Sequence, residues 1–161
     1  MIGVEADVSG EWDSRIDWAA LARSAVHAAV AMSRHPGLRD NEVSVKFTSD
    51  AEVRALNAAW RGKDKPTNVL SFPMADEAGL AGAQLLGDIV LAYGVCAAEA
   101  AQKEVRIETH AAHLVVHGTL HLLGYDHETS DAEAEAMEET ERRALASIGV
   151  ADPYHVTEAH P

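Results

Sequence analysis

The stretch His117-Gly-Thr-Leu-His121-Leu-Leu-Gly124-Tyr-Asp-His127 constrains this chain more than any other. On an α-helix, residues four apart share a face, so His117 and His121 can aim two imidazoles at one point. Gly124 can adopt the left-handed conformation that ends a helix and turns the chain back, which lets His127 approach the same point from the loop. The fold must therefore supply a helix that stops at Gly124. Three neutral imidazoles with an open fourth position are the ligand set of a catalytic zinc, with Zn–N distances of about 2.0–2.1 Å. The alternatives are a structural zinc, although closed structural sites usually have four protein ligands, and a packed helix whose histidines hold no metal.

This spacing is that of the metzincin zinc proteases, His-Glu-x₂-His-x₂-Gly-x₂-His, with Gly118 where the catalytic glutamate belongs. Without that general base a peptidase lacks the group that takes the proton from the attacking water, so the spacing keeps the metal geometry and argues against peptide hydrolysis. Five of the nine histidines fall between residues 110 and 127. His110 and His113 extend the stripe, either as supports or substrate contacts or, more simply, as surface or core-edge histidines with ordinary hydrogen bonds. Asp126 and Glu128 flank His127 and orient a ligand imidazole, act as bases, or simply cap the turn.

Hydrophobic periodicity places this helix in an α+β chain. Residues 2–8 and 42–48 alternate as strands, and residues 16–32 repeat at helical spacing and stop at His35-Pro36-Gly37. Ser49 with Glu52, and Ser130 with Glu133, are capping boxes that open helices to about residues 60 and 148. Residues 61–68 form a polar loop leading into a strand at 69–72, and residues 73–86 read as an irregular loop. A strand at 89–93 follows, then helical runs at 95–109, with a break near Val105, and 109–123. The expected architecture is one compact domain with a small mixed sheet of about four strands, about five helices and a metzincin-like metal helix. Trp12, Trp18 and Trp60 read as core or core-edge residues rather than base-stacking platforms, and Cys96 as a small buried one.

A chain of 161 residues is the size of one domain, assigned here to residues 1–150 with a C-terminal tail at 151–161. A single cysteine excludes an internal disulfide framework and fits a reducing, cytoplasmic setting. Residues 1–7 are acidic rather than basic, and no apolar run approaches the roughly 18 residues that span a bilayer. The net charge of −13 gives no global attraction for polyanions, so any nucleic-acid site must be a local patch. Residues 54–65 carry Arg54, Arg61, Lys63 and Lys65 against Asp64, and are either that patch or a solvated turn. Residues 126–141, by contrast, hold eight acidic residues and no basic one, a face expected to repel phosphate and to meet solvent or a basic partner.

Three runs, Trp60-Arg-Gly-Lys-Asp-Lys-Pro-Thr-Asn-Val-Leu-Ser-Phe-Pro73, Gly87-Asp-Ile-Val90 and His117 to His127, together resemble the bacterial YbeY family of rRNA-maturation endoribonucleases. The resemblance extends in order from about residue 40 to residue 148. It implies a zinc-dependent, single-strand-specific endoribonuclease acting in 16S rRNA 3′-end maturation and ribosome quality control. It further implies one Zn²⁺ per chain on His117, His121 and His127, with His117, His121 and Arg61 serving catalysis. The implied partners are rRNA, the small ribosomal subunit and a ribosome-associated GTPase, with no DNA and no membrane.

A guanidinium suits such a reaction, because it clamps the negative charge that builds on nonbridging phosphate oxygens. Ser71 and Thr67 can also touch phosphate, and Asp88 is either a support for the site or a structural residue. Either water attacks phosphorus, or the RNA's own 2′-OH attacks and leaves a cyclic phosphate. Two other readings compete: a non-catalytic, zinc-containing ribosome assembly factor, and a metal-dependent peptidase or small-molecule hydrolase.

Overall fold

The computed structural model describes residues 1–153. Its strands are β1 (Gly3–Val8), β2 (Glu42–Thr48), β3 (Val69–Pro73) and β4 (Leu85–Ala92), in sheet order β1-β2-β4-β3. β1, β2 and β4 run parallel, and β3 is an antiparallel edge strand on β4. Five α-helices accompany them: α1 (Trp18–Met32), α2 (Asp50–Arg61), α3 (Tyr93–Gln102), α4 (Ile107–Leu122) and α5 (Asp131–Ser147). This is the expected α+β domain with a four-stranded mixed sheet.

Period-2 alternation divides the strand side chains between two cores. Val43, Val45, Phe47, Ile89 and Leu91 join the main core, which α1, α4 and α5 complete. Leu70, Val90 and Ala92 face the other way and meet Val53 of α2. Small residues let α1 approach closely, with Ala22, Ala25 and Ala29 fully buried. α4 is buried nearly all round, as expected of a helix enclosed by both a sheet and other helices. The motif helix is therefore held by both the sheet and its neighbouring helices.

Both serine caps form: Ser49 Oγ accepts from the Glu52 amide and Ser130 Oγ from the Glu133 amide. The expected irregular loop at 73–86 is instead ordered. Asp76 caps a 3₁₀ turn, Glu77–Gly82, that buries Leu80, and β4 begins at Leu85 rather than near Ile89. Gly87-Asp88 interrupts the apolar run within β4, which conceals the strand's true start. β4 ends at Ala92, so Tyr93 already belongs to α3, and the expected break near Val105 falls between Gln102 and Ile107. Trp12 and Trp18 lie in the core, their rings edge to face at 4.9 Å. Trp60 does not: it is 73% exposed at the end of α2, whose apolar stripe passes through Val53 and Leu56 instead. Of the expected tail at 151–161, residues 154–161 lie outside the described residues.

Candidate metal centre

The last turn of α4 carries His117 and His121 on one face, and the helix ends in two bonds that return the chain. The Tyr125 amide donates to the Leu120 carbonyl at 3.0 Å and the Gly124 amide to the His121 carbonyl at 3.1 Å. These are the paired bonds of a Schellman motif, and Gly124, at φ +97°, occupies its left-handed position. Tyr125, buried beneath Arg34, whose guanidinium lies 3.9 Å from the ring centre, anchors the turn. His127 thereby reaches the same point as the helical pair. One ligand nitrogen from each of His117, His121 and His127 lies within 4.8 Å of the others, so the three could hold a metal ion.

The far side of each helical imidazole is engaged. His121 Nδ1 donates to the Tyr125 carbonyl at 3.0 Å, and His117 Nδ1 donates to Glu141 Oε1. With both protons on Nδ1, the two Nε2 atoms face each other as bare lone pairs only 3.1 Å apart. Two lone pairs at that distance repel, and a cation between them removes the repulsion, so the donor set fits a metal. Zinc is the ion that three imidazoles commonly select. Burial, with the His117 and His127 charges behind it, lowers the His121 pKa to about 4, keeping the ring neutral as a ligand must be.

Glu141 is the group that sequence reasoning missed. It belongs to the acidic run 126–141 expected to face solvent, yet it has no exposed surface. Its Oε2 lies 3.4 Å from His113 Nε2 while Oε1 takes the His117 bond. Burial opposes its ionisation, but the hydrogen bonds from His113 and His117 prevail and hold the carboxyl at about 2. A signal was present in α5: Glu141 falls on the stripe of Met137, Ala144 and Leu145, where an acid is out of place unless it is paired. His113 is thus a buried support of a ligand's partner rather than a surface histidine. His110 is buried as well and bonds Glu99, which also accepts from Asn68 at the mouth of the site.

A cleft of about 580 Å³ opens over the three histidines. Arg61 from the end of α2 lines it, with Thr67, Asn68 and Ser71 from the approach to β3 and the strand itself. Ser71 Oγ donates to the Gly118 carbonyl at 3.2 Å, tying β3 to α4. Asp126 accepts from the Glu128 amide, which lowers its pKa and commits it to the turn. Asp88 lies outside this cleft. Arg54 pairs with Asp64 at 2.8 Å, so Arg61, Lys63 and Lys65 provide the remaining positive charge of the basic segment. At Gly118 a Cβ would lie 2.9 Å from Ile89 Cγ2 and 3.0 Å from Ser71 Oγ, so the sheet fills the position where a metzincin carries its glutamate. Cys96 is buried and desolvation pushes its thiol up to about 12, which leaves it inert.

Comparison with known proteins finds close relatives along almost the whole chain. A family profile described as endoribonuclease YbeY matches residues 8–149. A protein of that name from Novosphingobium aromaticivorans is 53% identical, covering 95% of this chain and 96% of its own. Another from Rhizorhabdus wittichii is 52% identical, covering 98% and 99%. The solution structure of TM1509 from Thermotoga maritima superimposes with a TM-score of 0.55 at 25% identity, over 92% of this chain and 91% of that one.

Proposed function

Because the chain belongs to the endoribonuclease YbeY family, we propose that it is a zinc-dependent endoribonuclease that cleaves single-stranded RNA in 16S rRNA 3′-end maturation and ribosome quality control. The observation that carries this reading is the convergence of three imidazoles in an open cleft that Arg61 also lines. In this reading residues 1–150 are the catalytic domain, working in the cytoplasm on the small ribosomal subunit together with a ribosome-associated GTPase. No helix among the described residues is long and apolar enough to cross a membrane.

His117, His121 and His127 hold one Zn²⁺, which supplies Lewis-acid polarisation to the reacting phosphodiester. The chain's own groups do the rest. Glu141 and the Tyr125 carbonyl keep the Nδ1 protons in place, so both helical imidazoles present Nε2. Arg61 grips the nonbridging oxygens with two parallel N–H bonds and meets the charge that grows there as the phosphorus becomes five-coordinate. Thr67 and Asn68 offer further polar contacts at the rim. His127, with 46% of its side chain exposed, leaves the cleft open to a substrate, which favours catalysis over a closed, purely structural zinc.

The test uses metal-assayed protein and an end-labelled single-stranded RNA, with chelator, zinc add-back, and folded His121→Ala and Arg61→Ala variants. Cleavage should vanish with chelator, return with zinc, and be lost in both variants. Equal cleavage in every lane would reveal a contaminating nuclease and defeat the proposal. A 2′,3′-cyclic phosphate on the product assigns the attack to the 2′-OH, and a 5′-phosphate with a 3′-hydroxyl assigns it to water.

A further inference from the structure

Resting on the RNA-cleaving reading above, we infer that a second cleft, on the α2 face of the sheet, is a nucleobase subsite in which Trp60 stacks on a base of the same single strand whose adjoining phosphate Arg61 holds. This cleft, of about 600 Å³, is separate from the histidine cleft, but Arg61, Ser71 and Pro73 line both. The two lie on opposite faces of β3. Ser71 pairs with Ile89 and bonds α4, whereas Phe72 pairs with Asp88 and turns towards α2. Because β3 is the sheet's edge, a strand leaving the histidines can cross it beside Arg61 and enter the second cleft.

The lining suits a base rather than a phosphate. Trp60 and Met74 are 73% and 56% exposed, large apolar groups set on one cleft beside Phe72. Every base has a π-face that stacks on an exposed aromatic ring, without regard to sequence. Lys46 is paired with Glu52 at 2.7 Å and so brings little net charge. Asp88, in the same cleft, repels a phosphate but accepts N–H bonds from an amino-bearing base edge. Phosphate therefore belongs at Arg61 and the base beyond it.

The experiment measures binding of a fluorescein-labelled, 2′-O-methyl oligoadenylate of eight nucleotides to the zinc-loaded full chain. The 2′-O-methyl groups block 2′-OH attack, and electrophoresis of the recovered probe verifies that it is intact. Trp60→Ala should weaken binding about tenfold and Trp60→Phe should restore most of the loss, while wild-type Trp fluorescence is quenched on binding. Trp60 is exposed, so both variants should fold, as melting curves would verify. Wild-type affinity in Trp60→Ala, or an equal loss in Trp60→Phe, would overturn the stacking subsite while leaving the nuclease reading intact. If the wild-type chain neither binds this probe nor cleaves the unmodified RNA, the nuclease reading falls and the subsite falls with it.

Discussion

Glu141 bonds His117 from the side opposite the metal position, and His113 shares the same carboxylate. Such a partner fixes the ring's orientation and tautomer and raises the basicity of the ligand nitrogen, and its removal commonly costs about 10–100-fold in metal affinity. Glu141→Ala should therefore weaken zinc binding by about that factor, measured by competition with a chromophoric chelator. Glu141→Gln retains one acceptor for His117 and should lose less. Unchanged affinity in Glu141→Ala would show that packing alone orients His117. The acidic composition of α5 hid this residue, because seven of the eight acids between 126 and 141 do contribute to a polar surface and only the helical stripe singles out the eighth.

At the scale of the element, α4 approaches β3 and β4 most closely at Gly118, where it carries no side chain. A Cβ at Gly118 would press on Ile89, which is fully buried and cannot give way cheaply. Overpacking costs about 1–3 kcal/mol, whereas replacing a mid-helix glycine with alanine favours the helix by up to about 1 kcal/mol. Gly118→Ala should thus lose about 1 kcal/mol net in denaturant titration, and Gly118→Glu should lose more without gaining peptidase activity. A stabilised Gly118→Ala would mean that β4 yields at Ile89. The absence of the metzincin glutamate was legible from the spacing. That the sheet occupies its place was not, because Ser71 and Ile89 come from strands distant in sequence.

For the whole molecule, acid is the expected weakness. The His121 pKa is depressed from 6.5 to about 4, so between those values the unfolded chain binds a proton that the folded chain refuses. That contribution to stability is complete above pH 6.5 and is lost as the pH falls through 4. Glu141, depressed from 4.5 to about 2, adds a second loss from below pH 4.5 down to about 2. The melting temperature of metal-free protein should therefore be level above pH 6.5 on account of these groups and fall in both windows. His121→Asn should flatten the first window, and an unaltered fall in that variant would place the acid sensitivity elsewhere. With metal present the protons compete for the same nitrogens, so zinc release should accompany the first fall.

Local chemistry alone determined much of this protein. The i, i+4 histidine pair, the glycine that turns the chain, the serine caps and the strand alternation are each encoded within a few residues, and each appeared where the sequence placed it. Arg61 was legible as a candidate by the same local means, through its basic loop and the runs that resemble the family. Tertiary structure decided which exceptions to the pattern carry meaning. Glu141 is buried because α5 packs on α4, Trp60 is exposed because the apolar stripe of α2 points elsewhere, and Arg61 borders two clefts because β3 is an edge strand. Burial and cleft formation depend on contacts between segments remote in sequence, and no local window contains them.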